Sequence, residues 1–447
     1  VLPSSAIHLE IVMKEFPAGP LKSQPELVDI FLNNPFPNLE KWYREFGDMF
    51  TLEIGNLGVE RYPTNGKWVF LVSADLMKTV YKTNSSVINA GPARDILHYN
   101  IHSRDGSLLL DGPRHIERRK ILGKLIQGEK KIRDFTPTVL RLTQEAIAAF
   151  PRDKPFEMTT IFRKLSCDIM TEITFGELDM DEVETINSNI SRFGDPSLTR
   201  EVKKGMMGQC HQALSDLVDT CPYPTGDADN SVCSVLLDSC RFDKQISEAD
   251  VKGELFTVML AGVDTTACTM AWIMVQLLKN PPVFEKVMQE LNDVFADGGL
   301  CAENFDKLPY LEAAIHEVGR ISPVIAVGSI RLVVQPLELG EYTLPAGTII
   351  INCQHLIHNR EDYYPEPHLF QPERFLNSTP DPYKHVFFGG GIRRCLGMQF
   401  ALYEMRVVIA TMLYGCQFEQ VNVTDVPELQ GSFFAPKGNV TLRLAQP

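Results

Sequence analysis

The sequence predicts a mainly α-helical fold with a small β lobe, and three observations predict it. Residues 247–280 carry the longest helical pattern in the chain, apolar on nearly all sides through its middle. Helical periodicity recurs at 137–150, 156–175 and 310–320. Strand-like patterns are confined to about 50–75, 330–353 and 417–447. No convincing boundary interrupts the 447 residues, which therefore read as one domain with a β-rich lobe built from those three stretches.

Each element has a local reason. The opening Phe16-Pro-Ala-Gly-Pro20 reads as an extended entry. Phe50-Thr-Leu-Glu-Ile54 and Trp68-Val-Phe-Leu-Val72, separated by Gly- and Asn-containing turns, read as a hairpin. Residues 222–230 form a polar loop. Ser247 with Asp250 offers an N-terminal cap for the long helix, and Pro281-Pro282 ends it. Roughly 33 residues rising ~1.5 Å each make a rod of about 50 Å, which should run through the interior. From 330 to 353 the pattern turns to strands, with turns at Gly340 and Pro345-Ala-Gly347, and the tail has another turn at Pro436-Lys-Gly438.

Composition narrows the function. With 44% hydrophobic residues the chain can bury a large core. A net charge of −14 argues against nonspecific nucleic-acid binding. No run of 18 uncharged apolar residues is present, which predicts no membrane span. His8, Glu10, Lys14 and Glu15 do not suit a signal peptide. The chain begins at Val1, which is compatible with an N-terminal anchor having been removed. Ten cysteines lack CxxC or metal-finger spacing and read as thiols of a reducing, cytoplasmic compartment. Five sequons, including Asn84 and Asn439, are short enough to arise by chance. Residues 114–133 hold eight Lys/Arg against two Glu, either a solvated face or a docking surface.

The most informative stretch is Phe388-Gly-Gly-Gly-Ile-Arg-Arg-Cys395-Leu-Gly397. Glycines let backbone approach a bulky group closely. A cysteine at a helix start beside guanidinium groups is biased toward thiolate, suggesting a metal ligand, although a free cysteine is also a common core residue. Residues 398–414 continue as a helix stopped by Gly415. In the central helix, Ala261-Gly262-Val263-Asp264-Thr265 places a glycine that costs ~1 kcal/mol in a helix interior. Two readings stay open there. Either a planar ligand approaches Gly262 while Thr265 bonds the carbonyl four residues back, or Asp264 or Thr265 caps a second helix. His115 and Arg119 lie one helical turn apart and can grip one anion, and Glu317 and Arg320 share a helix face.

The cysteine segment resembles the haem-ligating loop of cytochrome P-450 proteins, Phe-x-x-Gly-x-Arg-x-Cys-x-Gly. Phe388, Gly391, Arg393, Cys395 and Gly397 fill its fixed positions, and Ala401 and Glu404 continue it. The resemblance spans residues from about 114 to the end. It implies the cytochrome P-450 fold, with the long helix crossing haem b, and a monooxygenase that inserts one atom of O2 into a C–H bond of a lipophilic small molecule. Cys395 would ligate the iron, with Phe388, Gly397, Ala261 and Gly262 against the haem. His115, Arg119, Arg331 and Arg393 would hold its propionates. Thr265 would hold water beside dioxygen and Asp264 would feed protons to the distal oxygen. Glu317, Arg320 and Arg374 would form a structural ion network. Pocket walls by family position fall at 92–102, Val258, Ala261, 324–328 including Val324 and Val327, and 432–434 including Phe433. A ferredoxin- or flavodoxin-type donor would dock on Arg114–Arg133, Lys384, Arg393 and Arg394. Alternatives are a peroxide-driven or isomerising enzyme of the same fold, or a non-catalytic haem sensor. Two departures from the family pattern stand out: Phe387, where proline is common, and Gly319, where leucine is frequent.

Overall fold

A computed structural model describes residues 14–33, 35–97, 103–176, 181–193, 195, 198–220, 231–296, 298–430, 433–438 and 440–445. The polar stretch 222–230, Asn439, Ser432 and the expected pocket wall 98–102 lie outside the described residues.

The central helix runs Glu248–Lys279. Ser247 and Asp250 cap it reciprocally: Ser247 Oγ accepts from the Asp250 amide, and the Asp250 carboxylate accepts from the Ser247 amide at 2.9 Å. The helix is continuous through Asp264 and Thr265, which overturns the reading of a second helix capped there. Thr265 Oγ1 instead donates to the Ala261 carbonyl at 2.7 Å. By length and composition this helix could cross a membrane, but 78% of its apolar window is buried inside the protein. It packs against helices Met158–Phe175, Arg200–Thr220 and Pro309–Ile321. Gly262 serves this packing: a Cβ there would lie 2.7 Å from Met170 Sδ. The glycine is thus offset by close approach of a neighbouring helix.

The main sheet has five strands in the order Met49–Leu52, Trp68–Leu71, Ile349–Asn352, Gly328–Val333, Ile88–Asn89. Trp68–Leu71 pairs with Ile349–Asn352 in parallel, and the other neighbours are antiparallel. The two parallel strands are buried along their whole length, which is why their sequences are continuous apolar runs. This sheet and the N-terminal helices share one hydrophobic cluster. The tail strands do not join it. Thr441–Leu444 pairs with Phe418–Asn422 on one side and Phe156–Glu157 on the other, and Pro427–Gln430 pairs with Phe433–Pro436. Ala435, Val440, Leu442 and Leu444 bury themselves among the helices, so the tail belongs to the helical core.

A buried ion network joins helix Pro309–Ile321 to the segment before the cysteine loop. Arg320 donates to both Glu317 oxygens at 2.7 Å, and Arg374 Nε adds a third contact at 3.2 Å. The remaining Arg320 donors reach the carbonyls of His358 and Leu369, so the paired charges are hydrogen-bonded on all sides. Between these residues sits Gly319, where a Cβ would lie 2.3 Å from the ring of Phe387. The two departures from the family pattern therefore touch: the missing side chain at 319 makes room for the extra ring at 387. Against the same wall, His385 packs between His316 and His358, with ring centroids 5.2 and 5.5 Å away. His385 Nε2 meets the His316 carbonyl, and His358 Nε2 accepts from the Val386 amide.

Two outcomes follow from this wall. Gly319→Leu should destabilise the protein by about 1–3 kcal/mol through overpacking. Combining it with Phe387→Ala should recover most of that loss in denaturant unfolding; simple additivity would contradict the contact. Burial lowers the pKa of all three histidines, that of His385 to about 3, and nearby Arg320 and Arg394 act in the same direction. Unfolded, each has the ordinary value of 6.5. The unfolded chain thus binds more protons below about pH 6.5, and stability falls from there toward about pH 3. His385→Gln, whose amide can still donate to the His316 carbonyl, should flatten that dependence in unfolding curves taken between these limits.

Candidate active site

The cysteine loop is pressed against the N-terminal lobe. A Cβ at Gly390 would lie 2.0 Å from the Tyr81 ring, and Gly391, at φ +62°, lies with its own Cβ position 2.6 Å from the Tyr81 carbonyl. Such contact with positive φ requires glycine. The Cys395 amide donates to the Phe388 carbonyl at 2.9 Å and closes the loop. Phe388 and Leu396 pack on the helical core. Helix Met398–Gly415 begins three residues beyond the cysteine, so the sulfur receives the Gly397 amide instead of a first-turn position. Burial raises the Cys395 pKa and outweighs the Gly397 amide, Arg119, Arg94 and Arg394, which all favour the anion. The expected thiolate bias is therefore overridden by desolvation in the protein alone. Cys395 is nonetheless the one exposed thiol among the described cysteines. Ahead of it on the motif, Glu404 is buried, accepts from Ser166 Oγ at 3.0 Å, and has its pKa pushed up to about 8.

Four arginines and a histidine converge beside the loop. Arg119 and His115 come from helix Gly112–Ile126, Arg331 from strand Gly328–Val333, and Arg393 from the loop itself. Arg94, on helix Gly91–Leu97, joins them without any signal in the sequence that singled it out. Burial and mutual repulsion lower the pKa of Arg94 to about 9 and of Arg331 to about 10. The same causes take His115 to about 3, so it is a neutral donor here and not the expected cation. Asp111 offsets part of the charge by pairing with Arg393. Arg393 also donates to the Ser107 carbonyl at 3.1 Å and to that of Leu110. Crowded, desolvated guanidinium groups of this kind suit a ligand with more than one carboxylate, and an accessible sulfur suits a soft transition metal. The residues present therefore fit an iron porphyrin with two propionates.

The central helix offers a matching surface. Most of its middle is buried, but Ala261 is exposed and Val258, Gly262 and Thr265 are half-buried. These positions recur every three to four residues and form one accessible stripe. The 103–111 segment ties the stripe to the cysteine loop. Gly106 presses on Gly253 and Thr257 of the helix, and the next residues hold Arg393. Next to Thr265, Asp264 is buried and pairs with Arg163 Nε at 3.0 Å. Burial raises the Asp264 pKa, and Arg163 opposes this most strongly, with a smaller contribution from Lys203. Arg163 was not singled out in the sequence, yet a signal exists. It falls on the same helical face as Thr159, Phe162, Ser166, Ile169 and Met170, and an arginine on a buried stripe needs a buried partner.

Among the expected pocket walls, Val327 and Phe433 are half-buried and Ile325 is exposed. Val324 is packed into the core; its carbonyl accepts from the Phe434 amide at 2.8 Å. The basic stretch splits in the same way. Lys120, Lys124, Lys130, Lys131 and Arg394 are exposed. Arg118 is buried, with Asp250 at 2.8 Å and Glu254 at 3.3 Å, and so is Arg393, so neither belongs to a docking face. Arg114 pairs with Asp250, Arg133 with Asp306, and Lys384 lies half-buried over Tyr363. Burial of Arg118 was hidden because its partners lie more than a hundred residues away.

The comparisons agree with this geometry. The cytochrome P450 family model matches residues 25–200 and 195–443. The chain is 29% identical over 410 residues to a Mycobacterium tuberculosis protein designated cytochrome P450 137, covering 86% of this chain and 80% of that one. It is 26% identical over 447 residues to one designated cytochrome P450 135B1 from Mycobacterium bovis, covering 96% and 91%. The solved structure of retinoic acid-bound cyanobacterial CYP120A1 superposes with a TM-score of 0.78 at 21% identity, covering 97% of this chain and 99% of that one. An accessible cysteine in the complete loop motif, the arginine cluster beside it and a family match across nearly all of the sequence together place this chain in the cytochrome P450 family of haem-thiolate monooxygenases.

Proposed function

We propose that this cytochrome P450, acting as one catalytic domain, oxidises a lipophilic small molecule in the cytoplasm with electrons from a ferredoxin- or flavodoxin-type donor. The observation that carries the reading is the accessible stripe on the buried central helix, apolar at Val258 and Ala261 and ending at Thr265. Val327, Ile325 and Phe433 add further accessible apolar surface, and such walls suit an apolar ligand. The nine described cysteines are free thiols, which suits a reducing compartment.

Cys395 would hold the iron, and Arg94, His115, Arg119, Arg331 and Arg393 would hold the propionates. When bound, the haem would supply the chemistry that inserts one oxygen atom of O2 into a C–H bond, with Cys395 as its thiolate ligand. The chain's own residues then govern protons and placement. The Thr265 hydroxyl proton is committed to the Ala261 carbonyl, so the oxygen presents lone pairs that can accept from a water. Asp264 is drawn toward its neutral form by burial and toward its anion by Arg163, a balance suited to taking up and releasing a proton. Glu317, Arg320 and Arg374 act as a scaffold beneath the loop. For the donor, Lys120, Lys124 and Arg394 provide positive charge beside the exposed Ile116 and Ile392. Gln399 Oε1, just past the cysteine loop, accepts from the Gly128 amide just past helix Gly112–Ile126, so these residues share one surface.

The first test is spectroscopic. The reduced, carbon monoxide-bound protein should show a thiolate-ligated haem spectrum that Cys395→Ala abolishes. In a ligand panel containing retinoic acid, a steroid, a terpenoid and a fatty acid, lipophilic members should shift the haem absorption. A panel in which only polar compounds do so would overturn the substrate class. The second test concerns the donor. Lys120→Glu and Arg394→Glu should slow reduction by a ferredoxin about tenfold at low salt, and the difference should shrink as ionic strength rises. Unchanged rates would reject this docking face.

A further inference from the structure

Arg163 joins three separate elements through one edge of its guanidinium. It projects from helix Met158–Phe175 and is only 6% exposed. Its Nε donates to Asp264 Oδ1 at 3.0 Å, and its Nη2 donates to Gln430 Oε1 at 2.6 Å. Nε and Nη2 form the fork that usually grips both oxygens of a single carboxylate. Here the fork is divided between an acid on the central helix and an amide on strand Pro427–Gln430. Cys268 Sγ, 3.9 Å from Nη2, is the weak third neighbour.

Gln430 is buried and sits opposite Phe433 in the hairpin register. Beyond that pair the hairpin is fixed. Trp272 Nε1 donates to the Phe434 carbonyl at 2.9 Å, and the Phe434 amide donates to the Val324 carbonyl. The end of the hairpin that carries Phe433 is thus the end whose position is read by Arg163. If Gln430 withdraws, Nη2 is free to close on Asp264 and hold it with both donors. If Gln430 stays, Asp264 is held by Nε. Lys203, on helix Arg200–Thr220, adds attraction toward Asp264 in either arrangement.

We propose that Arg163 is a positioning residue through which the hairpin bearing Phe433 sets how firmly Asp264 is held. This rests on the reading of Asp264 as the proton carrier and Phe433 as a pocket wall. A substrate pressing on Phe433 would then bear on proton delivery without touching the acid.

The test is a double-mutant cycle on the haem-loaded protein, using Gln430→Met, Asp264→Asn and the pair, read by denaturant unfolding. Asp264 and Gln430 should be coupled by at least about threefold in the unfolding equilibrium constant. The coupling should disappear in an Arg163→Lys background, where one ammonium keeps the charge but cannot divide a planar fork. Additive effects in the native background would overturn the proposal and leave Arg163 as a plain counter-ion. A second readout is hydrogen peroxide released per NADPH consumed, with a plant-type ferredoxin and its reductase as donor and dodecanoic acid present. Gln430→Met should raise this ratio about twofold or more, in the same direction as Asp264→Asn. If Asp264→Asn raises it and Gln430→Met does not, the coupling role is refuted and the proton-carrier reading stands. If Asp264→Asn leaves it unchanged, the proton-carrier reading itself fails and the proposal with it.

Discussion

Like charges gathered in a low-dielectric interior require an anion, and much of this molecule is arranged around that requirement. Arg94, Arg119, Arg331 and Arg393 come from a short N-terminal helix, the Gly112–Ile126 helix, the main sheet and the cysteine loop. Bringing them together fixes the relative positions of all four parts. Asp111 answers only part of the charge, and each guanidinium lies below its usual pKa range because of burial and, for most of them, its neighbours. On the proposed site, the two carboxylates of a haem would complete the balance. A haem bound there would enter the folded state's electrostatics as well as its chemistry, and its binding free energy would add to stability.

The same accounting separates charges that are settled from those that are poised. The Glu317 network is closed: its carboxylate meets two arginines and the Gln371 amide, and Arg320 spends its other donors on carbonyls. Breaking such a unit leaves an uncompensated buried charge, so its place is structural. Asp264 differs. Among the described residues its direct ionic partner is Arg163, whose guanidinium is shared, and burial works against its anion. The Glu317 carboxylate is thus paired more fully than that of Asp264.

Legibility in the sequence followed the range of the interaction. Ser247 and Asp250 lie within one turn, and their reciprocal cap was readable. So were the Thr265 hydroxyl bond, the Glu317–Arg320 pair and the five fixed positions of the cysteine motif, because each is a spacing. The hairpin of Met49–Leu52 and Trp68–Leu71 was readable for the same reason. What depended on distant partners was not. Arg118 looked like surface charge until Asp250 and Glu254 covered it. Gly262 read as a ligand contact, and its close packing against Met170 was not legible. The tail strands looked like part of one lobe, but their apolar residues found the helices first. Phe387 and Gly319 looked like two unrelated departures and are one contact, a ring occupying the volume that a longer side chain would otherwise fill.

The glycine run ahead of Cys395 has a bearing on the order of assembly. Its backbone lies flush against Tyr81, whose hydroxyl is within hydrogen-bonding distance of Ser329 and Asn352. The sulfur is thus aimed by a tyrosine near the beginning of the chain and a sheet near its end. Neither half alone can give the loop its shape. A chain without its first third would lack the Tyr81 wall against which the glycines before Cys395 are packed.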